Sequence, residues 1–155
     1  MAPRQHMRKM KVGKVTFTEA YKAVNEYRQK FPQKAVTFYA QNYPAMGWAV
    51  FMAGGSCPVI PCTDKAFLKD AAAMEVEETN TDEYKKMVKS DIGSIIYSKS
   101  GTEIPVQLSS GKYVLKYIHP ASGKIETINK SLKINGLYNL KVPDKKEGIY
   151  WFHKL

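Results

Sequence analysis

A predicted β-hairpin over residues 112–129 constrains the fold of this chain more than any other stretch. Its sequence is KYVLKYIHPASGKIETIN. Aromatic and β-branched side chains suit a pleated, half-buried surface, and they occupy both arms of the stretch. Pro120 presets one backbone angle and Gly123 can adopt a positive one, so the residues between the arms can reverse the chain. The second half of the chain is therefore predicted to contain antiparallel strands.

The first arm also predicts which side chains are core. Side chains two residues apart on a strand share one face of the sheet. Tyr113, Leu115 and Tyr117 therefore share one face, and Val114 and Ile118 share the other. We expect the first set to lie in the core. The alternative is an aromatic platform that stacks on sugars.

Turn signals continue the β pattern to the end of the chain. About six strands are predicted, because glycines recur at roughly the 8–12-residue spacing of antiparallel β proteins. The predicted strands lie at residues 92–97, 103–108, 112–119, 124–129, 137–142 and 149–153. We expect them to form two packed sheets, so that residues 92–155 are an antiparallel β-sandwich.

The first half shows helical patterns instead. Thr16 and Glu19 have the spacing of a capping box, and apolar residues then recur at steps of three and four up to Phe31. This helix should stop before Pro32, because the residue preceding a proline is pushed out of helical backbone angles. A shorter helix is expected over residues 34–41.

Residues 44–61 are apolar on every side and should be buried. Their sequence, PAMGWAVFMAGGSCPVIP, predicts a helix that begins at Pro44 and stops at the two glycines. A short buried strand is predicted over residues 57–60. A further helix is expected over residues 65–74, with Thr63 or Asp64 as its cap.

Two stretches are predicted to lack regular structure. Residues 1–14 are a basic lead-in without periodicity, and we expect them to be disordered. Residues 75–91 are rich in acidic side chains and are interpreted as a connector between the helical segment, residues 15–74, and the sandwich.

The net charge of the chain indicates which classes of partner it could attract. With 24 basic and 14 acidic residues, the formal net charge of +10 would attract nucleic acid or acidic polysaccharide. Forked contacts to bases and phosphates are made mostly by arginine, yet Arg4, Arg8 and Arg28 all lie in the first fifth of the chain. A freestanding basic nucleic-acid-binding domain is therefore kept as an alternative function, with nucleic acid the less favoured partner.

The sequence shows no membrane, metal or cofactor signal. No apolar run approaches the ~20 residues that a membrane helix needs, and the basic N-terminus has no apolar stretch behind it. We therefore expect a cytoplasmic or truncated chain with no signal peptide and no membrane partner. The histidines are dispersed, and Cys57 and Cys62 do not match zinc spacing. No metal and no cofactor are predicted.

The order of elements and two motifs resemble a known family. A buried helix ending in Ala-Gly-Gly-Ser, a short strand, a helix, an acidic connector and a small sandwich resemble the C-terminal end of bacterial glycoside hydrolases with a (β/α)8 barrel. In that family the sandwich often carries the label collagen-binding domain. Its hairpin pattern matches YIHPASG at residues 117–123, and its aromatic final strand matches IYWF at residues 149–152. His119 is a departure, since the family usually has Asp or Asn there.

The resemblance covers residues 31–155 and implies an α+β chain. Residues 15–74 would be the helical remnant of a (β/α)8 barrel and residues 92–155 the C-terminal sandwich. A complete barrel needs roughly 250 residues, so the chain has room for its last strand and closing helices alone. The resemblance implies a non-catalytic accessory module of a polysaccharide-degrading enzyme that binds carbohydrate or a protein matrix. Its partner would be an upstream barrel domain, and the parent family is typically secreted or periplasmic.

Five residues are candidate ligand contacts: Gly55, Ser56, Tyr117, His119 and Trp151. The structural alternatives are a helix stop for the glycine and core positions for the aromatic residues. No catalytic residue is assigned, because glycoside hydrolysis needs two carboxylates that usually come from different barrel strands. Asp64 is interpreted as a helix cap.

Overall fold

A computed structural model describes residues 15–38, 44–144 and 146–155. These residues form three helices, α1 (Phe17–Lys30), α2 (Pro44–Met52) and α3 (Lys65–Ala73). They also form eight strands: β1 (Glu75–Glu77), β2 (Tyr84–Lys89), β3 (Gly93–Ser98), β4 (Glu103–Gln107), β5 (Gly111–Ile118), β6 (Ile125–Ile134), β7 (Leu137–Lys141) and β8 (Gly148–Lys154). The predicted disordered lead-in, residues 1–14, lies outside the described residues. None of the described helices is long and apolar enough to cross a membrane.

The strands form two antiparallel sheets. Six of them lie in the order β1-β2-β3-β8-β5-β6, and β4 pairs with β7 in a separate two-stranded sheet. Strand β8 is therefore central, with β3 on one side and β5 on the other. The α+β class is confirmed, but the strands number eight and are divided six and two between the sheets.

Two hydrophobic cores lie on opposite faces of the large sheet. The helix-side core joins α1, α2 and α3 to side chains of one face, among them Met87, Ile95, Ile118, Ile149 and Trp151. The sandwich core joins the other face to the small sheet, and its members include Ile96, Ile104, Leu115, Leu140 and Phe152. The protein thus has three layers: helices, large sheet and small sheet.

The predicted faces of the hairpin are confirmed. Tyr113, Leu115 and Tyr117 all lie in the sandwich core, and each is at most 4% exposed. Ile118 packs on the opposite side, in the helix-side core. All six predicted strands are present, although β6 continues to Ile134 with two register shifts against β5.

The interpretation of residues 75–91 as a connector was wrong in its secondary structure, since they contain β1 and β2. These strands extend the large sheet beyond β3. Two lysines at the centre of β2 break the apolar pattern by which a strand is predicted. Both are nevertheless buried, since Lys85 is 4% exposed and Lys86 is 7% exposed. Lys85 Nζ donates to the Thr81 carbonyl at 2.6 Å, so its buried ammonium is satisfied.

Two further predictions in the first half were wrong. Residues 34–38 are not helical, and residues 39–41 lie outside the described part. The Val36 carbonyl instead accepts a hydrogen bond from Ser56 N at 2.7 Å. Residues 57–60 form no strand, and Val59 is 81% exposed. This segment crosses α2 at Gly47, where a side chain would collide with the Val59 carbonyl.

The barrel-remnant interpretation stays a prediction. The strand expected to be the eighth of a barrel is absent at residues 57–60, and every strand pair in the described residues is antiparallel. A (β/α)8 barrel is parallel. The division into a helical segment and a sandwich also stays a prediction, but the helix-side core spans both parts.

The predicted helix caps are confirmed. Thr16 and Glu19 form a reciprocal capping box at the start of α1, and α1 ends at Lys30, before Pro32. Asp64 caps α3, because its Oδ1 accepts a hydrogen bond from Phe67 N at 2.8 Å. The apolar helix α2 is buried from Met46 to Met52.

The turn of the β5–β6 hairpin docks onto the helical layer. Trp48 Nε1 donates a hydrogen bond to the Pro120 carbonyl at 2.8 Å. Gly123 has a φ of 70°, and a Cβ there would lie 2.5 Å from the Pro61 carbonyl oxygen. Glycine is therefore required twice over, by the backbone angle and by the close approach.

Gly123→Ala should reduce the free energy of unfolding by about 2–5 kcal/mol. About 1–2 kcal/mol comes from the left-handed backbone angle and about 1–3 from the collision with Pro61. Gly136→Ala is the matched control, because Gly136 also has a positive φ, of 89°, but its nearest neighbour is a flexible glutamine side chain at 3.5 Å. It should lose the backbone part alone. Urea denaturation measures both, and equal losses would show that the turn is not docked in solution.

Candidate ligand-binding cleft

A cleft of about 810 Å³ opens among α1, α3, β1 and the loop after α2. We call it the helix-side cleft. Its lining combines apolar and polar residues: Asn25, Arg28, Gln29, Phe51, Gly54, Gly55, Pro58, Ile60, Leu68, Ala71, Ala72, Met74, Glu75, Val76, Glu78 and Met87. Binding sites for small organic ligands are typically concave, with apolar walls and a few polar groups.

Helix α1 supplies one polar side of the cleft. Asn25, Arg28 and Gln29 have the i, i+3, i+4 spacing that places side chains on one helix face. Arg28 Nη1 donates to the Ala53 carbonyl at 2.9 Å, which fixes the guanidinium against the end of α2. Gln29 Nε2 donates to the Glu78 carboxylate, so α1 is tied to the residues that follow β1.

The floor of the cleft is apolar. Phe51 is 8% exposed and Met74 is 7% exposed, and both belong to the helix-side core. Ile60 and Val76 are partly buried against the same core. Leu68 of α3 is 42% exposed and stands at the opening. A ligand in the cleft would therefore contact apolar carbon atoms below and polar groups at the sides.

The glycines after α2 close the helix and also shape the cleft. Gly54 has a φ of 67°, and Arg28 and Val76 fill the space where its side chain would be. Gly55 N donates to the Val50 carbonyl at 2.8 Å. Both the helix-stop interpretation and the ligand-facing interpretation of Gly55 therefore fit the structure, because it lines the cleft.

The structure does not bring the five candidate contacts together. Gly55 lines the cleft, and Ser56 is half-buried beside it. Tyr117 lies in the sandwich core and Trp151 in the helix-side core, so they occupy opposite faces of the large sheet. His119 is exposed at the start of the hairpin turn. A ligand could not contact all five at once.

Tyr117 and Trp151 are buried, so their rings do not form a surface on which a sugar could stack. Trp151 is fully buried, and its Nε1 donates to Asp70 Oδ2 at 2.9 Å. The same carboxylate oxygen lies 2.7 Å from His153 Nδ1, which joins α3 to β8. Ring faces closed in this way cannot stack on a ligand unless the surrounding elements move. We therefore place Tyr117 and Trp151 in the core.

Three tyrosine hydroxyls converge on the residues before β8. Tyr117 donates to the Glu147 carbonyl at 2.8 Å, Tyr150 donates to the Lys146 carbonyl at 3.0 Å, and Tyr97 donates to the Glu147 carboxylate. Burial is the main cause that raises the pKa of each hydroxyl, to about 12 for Tyr150. The Glu147 carboxylate adds to the effect on the pKa of Tyr97 and of Tyr117.

The sequence interpretation missed the polar residues of the cleft. Asn25, Arg28 and Gln29 were visible as a polar helix face, but such a face is usually solvated. Glu75 and Glu78 were assigned to the connector. Among residues 15–38, 44–144 and 146–155, no three His, Cys, Asp or Glu side chains come together as a set of metal ligands.

A family model described as Domain of unknown function (DUF6298) matches residues 1–74, which is less than half of the chain and ends just after α3. A search of curated proteins gave no match. The match covers α1, α2 and α3 but none of the strands.

Among solved structures, one named Glycoside hydrolase is similar at a TM-score of 0.39 and 15% identity. The similarity covers 51% of this chain and 19% of that one, so this chain spans about a fifth of that protein. Two crystal structures of CapF are also similar. The first, with the inhibitor 3-isopropenyl-tropolone, has a TM-score of 0.22 and 10% identity, and the similarity covers 88% of this chain and 44% of that one. The other, the capsular polysaccharide assembling protein CapF from Staphylococcus aureus, has a TM-score of 0.17, 16% identity, and 52% and 25% coverage. These TM-scores are too low to carry an argument about fold or function.

Stability should fall at alkaline pH, and Tyr150→Phe should weaken that fall. Tyrosine in an unfolded chain has a pKa of about 10, whereas the folded-state pKa of Tyr150 is about 12. A raised folded-state pKa gives stability that is complete below pH ~10 and is lost as the pH rises toward the folded value. Denaturant unfolding from neutral to alkaline pH measures the slope. If Tyr150→Phe left the pH dependence of the free energy of unfolding unchanged, Tyr150 would not contribute to the alkaline loss of stability.

Proposed function

We propose that this chain is a non-catalytic accessory module that binds carbohydrate, and that the helix-side cleft holds the ligand. The observation that carries the proposal is the mixed lining of the cleft. A sugar ring presents carbon-bound hydrogens on its faces and hydroxyl groups around its edge. The apolar floor suits the first, and the polar sides suit the second.

The polar sides offer both hydrogen-bonding roles that hydroxyl groups need. A guanidinium donates only, a carboxylate accepts only, and an amide does both. Arg28 supplies the first, Glu75 and Glu78 the second, and Asn25 and Gln29 the third. Such a set favours a neutral, hydroxyl-rich ligand over a simple anion, because an anion would meet two carboxylates.

Exposure of the two carboxylates supports a binding role without catalysis. Glycoside hydrolysis needs a carboxylic acid that stays protonated, usually through apolar surroundings, and a second carboxylate across the scissile bond. Glu75 and Glu78 are both exposed, and Glu78 is held by the amide of Gln29. Neither has the enclosed setting of a general acid.

Asn25→Ala and Gln29→Ala should each weaken polysaccharide binding by about five- to thirtyfold, since losing one hydrogen bond costs ~1–2 kcal/mol. Affinity gel electrophoresis against a panel of soluble neutral polysaccharides identifies the ligand, and isothermal titration calorimetry gives the affinities. Gln33→Ala is the matched control, because Gln33 is exposed beyond the end of α1. An equal loss for Gln29→Ala and Gln33→Ala would exclude the cleft as the binding site.

The isolated chain should hydrolyse no glycoside, with rates on a panel of aryl glycosides equal to those of buffer alone. Glu75→Gln and Glu78→Gln test the two carboxylates of the cleft directly. Turnover by the native chain that either substitution abolishes would show that the cleft is an active site instead.

A second candidate function is docking of an upstream barrel domain onto the same surface. Val59 is 81% exposed between two residues that line the cleft, and Leu68 at the opening is 42% exposed. Exposed apolar side chains favour a protein partner where they form one patch. Docking and sugar binding would compete for the cleft, so failure of every polysaccharide in the panel would favour this candidate.

A further inference from the structure

Part of the large sheet's helix-side face is left open to solvent. Ile118 packs in the helix-side core, so side chains two and four residues earlier on β5 point to the same side. These are Lys116 and Val114, both half-exposed, and Lys112 beyond them is exposed. The three described helices therefore cover the β2, β3 and β8 part of this face, and they do not cover the outer part of β5.

Strand β6 adds a further cation to the open face. Lys133 is directly opposite Lys112, and Thr127 is directly opposite Lys116. Side chains of directly paired residues lie on the same side of a sheet. Lys112, Lys116 and Lys133 thus project from one surface, which we call the lysine face.

The lysine face carries an uncompensated charge. Like charges directly opposite each other on neighbouring strands are destabilising, yet Lys112 and Lys133 stand in this relation. In the part of the chain that the structure describes, none of the three lysines forms an ion pair with a carboxylate. An arrangement that costs stability and has no internal partner is complementary to an external anion.

The surface at this point is concave. A shallow cleft of about 350 Å³ is lined by Gly111, Lys112, Lys133, Ile134 and Asn135. An anionic group in this cleft would be near the ammonium groups of Lys112 and Lys133.

Lys116 extends the surface along the strand. Its Nζ lies 4.1 Å from the centre of the Trp151 ring, so the buried tryptophan fixes the position of the ammonium. Four residues separate Lys112 and Lys116, which corresponds to about 13 Å along a strand. This separation suits an extended chain with repeated negative groups better than a single small anion.

We propose that the lysine face binds an acidic polysaccharide through its carboxylate groups. Lysine offers a point charge with rotatable donors, which can follow carboxylates on a flexible chain. Nucleic acid fits less well, because residues 92–155 contain no arginine and the Trp151 ring is buried beneath Lys116. This site is separate from the helix-side cleft and does not depend on carbohydrate binding there.

Affinity gel electrophoresis with polygalacturonate tests the proposal. The native chain should be retarded at low salt, and K112Q/K133Q should weaken binding by about tenfold, with a shallower dependence on salt, since two charges that meet the polyanion are removed. K99Q/K141Q is the matched control. It removes the same charge from exposed lysines outside this face, at the β3–β4 connection and on β7, and should change the affinity less than about twofold.

Three results would overturn the proposal. The first is equal weakening by both double variants, which would mean that net charge alone attracts the polymer. The second is no retardation of the native chain. The third is tighter binding of an oligodeoxythymidylate than of polygalacturonate at equal salt, which would assign the face to nucleic acid. Binding of neutral polysaccharide to the cleft should be unchanged in K112Q/K133Q, so the two sites can fail separately.

Discussion

Burial of β8 on both faces is the constraint on which the rest of the structure depends. Residues 148–152 are all buried, and the strand is hydrogen-bonded to β3 and β5 along its two edges. Ile149 and Trp151 require the helices as a cover, whereas Tyr150 and Phe152 require the small sheet. One apolar strand therefore specifies a layer on each side. Full burial of such side chains is worth about 1.5–3 kcal/mol each, so both layers gain stability from it.

Features that depend on neighbouring residues could be predicted from the sequence, and those that depend on distant contacts could not. The hairpin faces and the caps at Thr16 and Asp64 follow from local spacing. Strand β2 was missed because its lysines resemble a solvated segment. Their burial is explained by partners outside the strand: the Lys85 ammonium lies 4.8 Å from the centre of the Tyr21 ring, and Lys86 pairs with Glu77 of β1.

The residues of the helix-side cleft could likewise be predicted only where the local sequence identifies them. Gly55 was predicted as a ligand contact at the loop after α2, because the Gly-Gly end of this helix is visible in the sequence. The polar sides come from α1 and from residues around β1, which are about fifty residues apart, as in the contact of Gln29 with Glu78 at a separation of 49. Trp151 could not be assigned to the core from its own neighbourhood, since its hydrogen-bond acceptor, Asp70, is 81 residues away.

The register shifts in β6 have a consequence for how molecules of this protein meet one another. An outer strand offers unpaired amide and carbonyl groups to which a second molecule can add a strand. Strand β6 is the outer strand next to β5, but its two irregularities and its exposed lysines oppose such growth. The opposite outer strand, β1, has three residues, and Pro105 within β4 has no backbone N–H to donate. The sheets should therefore resist open-ended association into fibres, even at concentrations where their apolar content would favour it.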